Sequence, residues 1–305
     1  MSDKPRRLAV LMGGPSAERE VSLRTGGACA GALREAGFEV SEVTVDEQAN
    51  FVVPPGTDLA FLAMHGPFGE DGQVQDILAG QGIPFTGANA ATSRICIDKE
   101  KTKEKLAAAG VPVPVGQLVE RAGQIMLPLP LFIKPNTLGS SVGSAPVFKT
   151  EELAPALEQA LRFGSPVLVE RFIRGRELTV GVLGDAVLPV IEIRPLDGFY
   201  DYTNKYTKGK TEYLCPAPIS AEITATVQRH ALAAHRAVGR AVYSRIDFLL
   251  EESGAAWCLE INTIPGMTAT SLLPKAAAAA GISFPELCRR IVELSWAERH
   301  AEGLT

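Results

Sequence analysis

Leu8-Ala9-Val10-Leu11-Met12-Gly13-Gly14-Pro15-Ser16 is the stretch on which the reading of the fold turns. Five apolar residues closed by a Gly-Gly-Pro turn read as a strand buried on both faces, the habit of parallel sheets. Ser22 to Ala36 then reads as a helix stopped by Gly37 at its C′ position. Phe38–Val45 and Leu59–Met64 read as further strands, and Val74, Ile77 and Leu78 mark one face of a helix ended by Gly82. Strands alternating with helices predict a doubly wound α/β domain with a parallel sheet. The turn is Gly-Gly-Pro-Ser and not Gly-x-Gly-x-x-Gly, so the dinucleotide fingerprint is absent and a dehydrogenase loses its main support.

Outward from this stretch the pattern changes. A lysine-rich helix, Lys99 to Ala109, ends at Gly110, and Pro112 and Pro114 punctuate the chain. Leu131–Lys134 and Val167–Arg171 read as strands around a helix from Thr150 to Phe163, a small α+β unit. Further strands are expected at Leu178–Leu183, Ala186–Ile193, Ile246–Leu250 and Trp257–Ile261, and two helices close the chain, the second over Phe284–His300. Between the strands lies a polar, aromatic segment, Pro195 to Gly209, of a length that is usually functional or disordered.

At 305 residues the chain is too long for one core, so two or three domains are expected. Hydrophobic residues at 46% and charged residues at 21% are a normal globular balance. The net charge is −5 with no Lys/Arg stripe, which argues against nucleic acid as a partner. Five scattered cysteines without a Cys-x-x-Cys pair favour neither a disulfide framework nor a zinc knuckle, and free thiols fit a reducing cytoplasm. The N-terminal residues lack the apolar core of a signal peptide, and no apolar run approaches the roughly 20 residues of a membrane span, so no membrane partner is expected.

Four groups of residues can carry chemistry. Arg245-Ile-Asp247 and Glu260-Ile-Asn262 lie on apolar strand patterns, so the residues two apart share a face. Two carboxylates and an amide on one surface suit Mg²⁺, which takes one or two carboxylates and completes its shell with phosphate oxygens. A surface hairpin with alternating polar positions gives the same spacing. Gly139-Ser140-Ser141-Val142-Gly143 offers N–H and hydroxyl donors to phosphate, or is an ordinary turn; no Gly-Lys-Ser/Thr follows, so it is not a Walker A loop. Of the lysines Lys99, Lys134 and Lys205, Lys134 ends an apolar strand just before a proline, an unusual place for a solvated lysine, whereas Lys99 sits in a charged helix where a surface position is the stronger alternative. His65 stands at the C-terminal end of a strand, where open α/β sheets bind ligands, and Glu18 opens a helical stretch where a first-turn glutamate also serves the helix dipole.

In this order the segments resemble D-alanine–D-alanine ligases of the ATP-grasp superfamily. The matching stretches are Gly-Gly-Pro-Ser-Ala-Glu-Arg-Glu-Val-Ser (13–22), His-Gly-Pro-Phe-Gly-Glu-Asp-Gly (65–72), Asp-Lys (98–99), Ile-Lys-Pro (133–135), Gly-Ser-Ser-Val-Gly (139–143), Phe-Tyr-Asp-Tyr-Thr-Asn-Lys-Tyr (199–206), Arg-Ile-Asp (245–247) and Leu-Glu-Ile-Asn-Thr-Ile-Pro-Gly-Met-Thr (259–268), spread over nearly the whole chain. The resemblance implies an ATP-grasp fold: an N-terminal α/β domain over 1–96, a small central α+β domain over 97–174, and a C-terminal domain over 175–305 with a mobile loop at 195–209. ATP would lie between the last two. It implies that Lys99 and Lys134 contact phosphates, that Glu170, Arg171 and Ile173 frame the adenine with Glu177 on the ribose, and that Ser140 and Ser141 belong to the nucleotide site. Asp247, Glu260 and Asn262 would hold two Mg²⁺ or Mn²⁺ ions, and Lys205 would reach the γ-phosphate.

On the amino-acid side, the resemblance puts Glu18 on the ammonium of the first D-alanine and His65 near its carboxylate. Ser141 is also expected beside substrate. Ser271 and the backbone of Leu272 would grip the second carboxylate. Arg245 and the N–H of Gly266 would donate to the oxyanion of an acyl-transfer step, and a Glu18–Ser140–Tyr206 set would lock the loop. The family forms a D-alanyl phosphate and then a dipeptide for peptidoglycan, and a cytoplasmic homodimer is the family expectation. Tyr206 accompanies D-alanine rather than D-lactate as second substrate in the family. Leu138 and Ile264 depart from its pattern, the first at one local contact and the second in the packing of the second-substrate loop.

Overall fold

A computed structural model describes residues 4–139, 142–195, 211–239, 241–268 and 270–304. Three sheets organise them. In the first, β1 (Arg7–Gly13) lies between β2 (Glu39–Val45) and β3 (Leu59–Leu62), all parallel. Leu8 to Gly13 are buried without a break, as a strand covered on both faces requires. Helix α1 (Arg19–Glu35) packs on β1 and β2. It starts three residues before the sequence pattern suggests, and Ser22 does not cap it. The Ser22 hydroxyl accepts from Gly13 N–H at 2.8 Å and donates to Ala63 O at 2.7 Å, tying the helix to the strand ends. Gly37 closes the helix at φ +91, with Phe38 N–H returning to Leu33 O at 3.1 Å. Helix α2 (Gln73–Gly80) buries Val74 and Leu78 and leaves Ile77 exposed, so its apolar face is narrower than expected.

Two short helices follow, α3 (Ala90–Ile97) and α4 (Lys99–Ala108), capped by Asn89 and Asp98, whose side chains accept from Thr92 and Lys101 N–H. The second sheet is antiparallel, order β4-β7-β5-β6, built from β4 (Gly116–Val119), β5 (Leu131–Pro135), β6 (Ala145–Val147) and β7 (Val167–Arg171). Helix α5 (Thr150–Leu161) covers it, burying Ala156, Leu157 and Ala160 against Leu131, Ile133 and Val169.

The third sheet is antiparallel, with path β11-β10-β8-β12-β13. Its strands are β8 (Arg176–Leu183), β9 (Ala186–Val187), β10 (Ile191–Pro195), β11 (Thr211–Leu214), β12 (Tyr243–Leu250) and β13 (Ala256–Asn262). The single strand expected over 186–193 is divided: β9 folds back on Val182 and Leu183, and β10 pairs farther along β8 with Glu177 to Thr179. Helices α6 (Ala221–Ala237), α7 (Leu272–Ala279) and α8 (Phe284–Ala301) complete the fold. Among the described residues no helix is long and apolar enough to cross a membrane.

The last helix returns to the first sheet. Leu287, Cys288, Ile291 and Val292 of α8 share a core with Leu8, Val10, Leu33 and Phe61. Arg299, fully buried, donates to Phe85 O at 3.1 Å and to Gly87 O, stacks 4.2 Å over the Phe85 ring and pairs with Glu302. Ser295 Oγ accepts from Gly87 N–H at 3.1 Å. The turn at 85–89 is thereby clamped, and Tyr243, the first residue of β12, packs against Gly87.

Candidate functional site

The alternation read from β12 and β13 becomes a register. Arg245 stands opposite Asn262, and Asp247 opposite Glu260. Ile246, Cys258 and Ile261 point the other way, into the core beneath α6. All four polar residues therefore share one face. Arg245 grips its neighbour bidentately, Nε to Asp247 Oδ1 at 3.0 Å and Nη2 to Oδ2 at 2.7 Å, while Thr179 Oγ1 donates to Oδ1 at 2.5 Å. The register shifts just after Asp247, a bulge of the kind that re-aims side chains beside functional sites.

Two carboxylates directly opposite on adjacent strands repel each other unless cations lie between or beside them. Arg245 serves Asp247, and Lys99 Nζ stands 4.0 Å from Glu260 Oε2. Asn262 Oδ1 accepts from Ile264 N–H at 3.0 Å, which fixes the amide at the end of the strand. Two carboxylates and an amide oxygen form a hard-oxygen donor set that fits Mg²⁺ or Mn²⁺. The described residues hold no cluster of three or more His, Cys, Asp or Glu for a metal. A dedicated protein cage is not what this chemistry needs, because Mg²⁺ draws much of its shell from water and phosphate.

Facing this acidic strand pair is a buried cationic cluster. Lys99 and Lys103 lie one turn apart on α4, and Lys134 is the last residue but one of β5; all three are buried. Lys99 Nζ donates to Leu138 O at 2.6 Å. Glu170 of β7 puts one carboxylate oxygen 2.8 Å from Lys134 Nζ and pairs the other with Lys103, whose ammonium also donates to Pro114 O at 3.0 Å. Burial pulls Lys134 down to about 8, and the Lys99 ammonium adds to the shift. Lys103 is drawn down by burial and then by Lys134, and Lys99 by burial, with Glu260 and Glu70 opposing. Two lysines on one buried carboxylate, with Lys99 close to Lys134, leave a local excess of positive charge that favours an anion. Asn136 links this cluster to α4: its Oδ1 accepts from Glu100 N–H at 3.0 Å and its Nδ2 donates to Asp98 at 2.9 Å.

The segment after Glu170 bridges two sheets. Arg171 pairs with Glu251 at 3.2 Å and lies 4.7 Å over the Trp257 ring of β13. Ile173 is buried, and Glu177 lies on β8 between Ile193 and Leu249. At the other end of the site, Gly66 has φ +72, and a Cβ there would come within 3.0 Å of Glu18 Oε2, so Glu18 lies against the His65–Gly66 backbone. His65 is buried, with Nε2 3.0 Å from Thr25 Oγ1 and Nδ1 3.6 Å from Glu70 Oε1. Ser16 Oγ donates to His65 O at 2.7 Å.

Gly266 and Ser271 share one loop: a Cβ on Gly266 would come within 2.9 Å of Ser271 Oγ, which accepts from Thr268 N–H at 3.0 Å. Leu272 is the first residue of α7, so its N–H belongs to the unbonded first turn of a helix. Ile264 is buried in the core of the first sheet with Leu62, Met64 and Phe85. Of the residues singled out in the sequence, Ser140, Ser141, Lys205 and Tyr206 lie outside the described residues. Sequence reasoning missed Lys103, Thr25 and Thr179, and quoted Glu70 in the 65–72 stretch without giving it a role. Of the three missed, only Lys103 carried a usable signal, its spacing of four from Lys99 on a helix.

The family model described as "D-ala D-ala ligase C-terminus" matches residues 116–293. The chain is 46% identical to a D-alanine–D-alanine ligase of Methylacidiphilum infernorum over 98% of both chains. It is 48% identical to one of Syntrophotalea carbinolica over 94% of this chain and 95% of that one. Among solved structures, a D-alanine–D-alanine ligase of Bacillus anthracis complexed with ATP superposes with a TM-score of 0.85 at 35% identity, covering 98% of this chain and all of that one. A VanG D-Ala:D-Ser ligase of Enterococcus faecalis does so with a TM-score of 0.85 at 30% identity, over 96% of this chain and 100% of that chain.

Proposed function

This chain belongs to the D-alanine–D-alanine ligase family, and on that premise we propose how its site joins two D-alanine molecules with ATP. The products are D-alanyl-D-alanine, ADP and phosphate, and the dipeptide serves peptidoglycan synthesis. The observation that carries the reading is the juxtaposition at Lys99 and Glu260: a buried excess of ammonium groups meets a strand pair with opposed carboxylates. Polyphosphate with divalent cations completes the charge of both sides at once.

A carboxylate is a poor acyl donor, so the first D-alanine is activated as an acyl phosphate. Lys99 and Lys134 hold the nucleotide phosphates, with Ser140 and Ser141 adding donors and Lys205 reaching the γ-phosphate. Glu170, Arg171 and Ile173 frame the adenine, and Glu177 takes the ribose. Asp247, Glu260 and Asn262 are the residues to hold two Mg²⁺ or Mn²⁺ ions, which when bound neutralise phosphate charge and orient the transferring group. Glu18 takes the ammonium of the first D-alanine, with His65 near its carboxylate.

Ser271 and the N–H of Leu272 take the carboxylate of the second D-alanine, the helix start favouring an anion. Its amine attacks the acyl carbon, the bond to the phosphate oxygen breaks, and phosphate leaves. Arg245 and the Gly266 N–H donate to the oxyanion between these events. The Asp247 pairing fixes the guanidinium plane and supports this role. A Glu18–Ser140–Tyr206 set closes the 195–209 segment and excludes water that would hydrolyse the acyl phosphate. In this reading the chain divides at 1–96, 97–174 and 175–305, and ATP lies between the second and third units. A homodimer in the cytoplasm completes the proposal.

The deciding experiment is phosphate release from ATP with D-alanine, D-serine or D-lactate, with the product identified by mass. D-alanyl-D-alanine is the expected product. No D-alanine-dependent phosphate release in the presence of Mg²⁺ would overturn the reading, and preferential incorporation of D-serine or D-lactate would reassign the second substrate.

A further inference from the structure

Lys103 has no part in the mechanism above, yet it is among the most enclosed charges in the molecule. Its ammonium is fixed on one side by Pro114 O at 3.0 Å and on the other by the Glu170 carboxylate. The second oxygen of that carboxylate faces Lys134 at 2.8 Å. One buried anion therefore has two cationic partners of different standing. Lys134, near the end of β5, is close to Lys99, on the side proposed for the phosphates, and is the lysine a nucleotide would recruit. Lys103 is anchored to a backbone carbonyl and has no such second task.

When the phosphates draw on Lys134, the cationic partner left to Glu170 among the described residues is Lys103. A buried carboxylate without a counter-charge is strongly disfavoured. Held ionised, it is an acceptor with no hydrogen to donate. Against it, an exocyclic amino group on the purine gains a charge-assisted hydrogen bond, whereas an oxo group at the same position meets acceptor with acceptor.

We propose that Lys103 is a positioning residue for base selection, holding the Glu170 carboxylate so that it accepts from a 6-aminopurine and rejects a 6-oxopurine. The proposal rests on the placement of adenine at Glu170. ITP is the probe, because it differs from ATP only at that edge of the base.

The experiment measures kcat and KM for ATP and for ITP, at saturating D-alanine, in the wild type and in the Lys103→Met, Lys103→Arg and Glu170→Gln variants. The preference for ATP, as a ratio of kcat/KM values, should fall by about 10-fold or more in Lys103→Met, the scale of one hydrogen bond to a charged group. The change should lie in KM for ATP more than in kcat. Lys103→Arg, which restores a cation to Glu170, should recover most of the preference. Glu170→Gln should lose it too, and it provides the reading if Lys103→Met does not fold. An unchanged ATP-to-ITP ratio in Lys103→Met, while Glu170→Gln loses it, would overturn the role of Lys103 alone. A wild type indifferent to ITP, or a Glu170→Gln variant with full preference, would overturn the adenine placement beneath it. Equal loss in Lys103→Met and Lys103→Arg would reduce Lys103 to packing and also refute the proposal.

Discussion

On one side of the site, α4, β5 and β7 gather three buried lysines, two of them on the Glu170 carboxylate; on the other, β12 and β13 set two carboxylates face to face, one of them gripped by Arg245. Both clusters are unbalanced in charge, in opposite senses, and they differ in how the imbalance is sustained. The cationic side is enclosed and held by backbone carbonyls at Leu138 and Pro114. The acidic side is more open, with the Glu260 side chain 36% exposed. An enclosed imbalance is part of the fold, so altering it disturbs stability and binding together. A half-exposed one is screened by water, so altering it should touch catalysis and leave the fold alone.

The largest effect that would test this contrast is expected from Glu260→Gln. Turnover should fall by at least about 10²-fold, the scale of losing one preorganised charge at the reacting phosphate. Its thermal midpoint without Mg²⁺ should not drop, because a like-charged pair has been relieved. Near-normal turnover would mean that the metals are held elsewhere. Lys134→Met should break the contrast from the other side: KM for ATP rises, and stability in urea falls by less than the about 3–5 kcal/mol typical of a broken buried pair, because Lys103 still faces Glu170. A variant with wild-type unfolding and wild-type KM would show that the lysine is dispensable on both counts.

The pH dependence should separate the two properties. Lys134 titrates near 8 in the folded protein, below its value in an unfolded chain, so kcat/KM for ATP should decline above about pH 8 as the ammonium is lost. The sign for stability is the reverse. Between about 8 and 10.4 the unfolded chain binds the extra proton, so this lysine makes folding more favourable as pH rises through that window. Lys134→Arg, charged throughout, should lose the decline; a decline of unchanged position would assign it to another group. The smallest effect belongs to Lys101→Ala. This lysine lies between Lys99 and Lys103 in sequence but is exposed and, among the described residues, paired only with Asp98, at 3.0 Å. Stability should change by no more than about 0.5 kcal/mol and KM for ATP not at all, and a measurable shift in KM would blur the distinction between enclosed and solvated lysines.

The legibility of these regions in the sequence follows the range of the interactions. The strand face was readable because alternation fixes which side chains share a surface, and Lys134 because a lysine closing an apolar strand has no solvated place to go. The parallel strands β1 and β3 were readable as unbroken apolar runs. Lys103 was hidden among Lys99, Lys101 and Lys105, since only the packing of α4 on its neighbours decides which lysines are enclosed. Helix α6 was missed because its buried face is largely Val227, Ala231, Ala234 and His235, and alanines give a weak apolar period. The direction of the Glu170 side chain, toward lysines of two elements, depends on contacts that no local pattern encodes.

The clamp that α8 places on the first sheet also bears on the order in which the molecule is made. Gly87 meets Ser295 across 208 residues. At roughly 5–20 residues per second of synthesis, that separation is about 10–40 s on the ribosome. During that interval the apolar surface of the first-made sheet has been translated but its covering helix has not. The sheet must wait, shielded by α1 alone or by a chaperone, and a ribosome that stalls before α8 leaves a nascent chain with the surface of Leu8, Val10 and Phe61 unclosed.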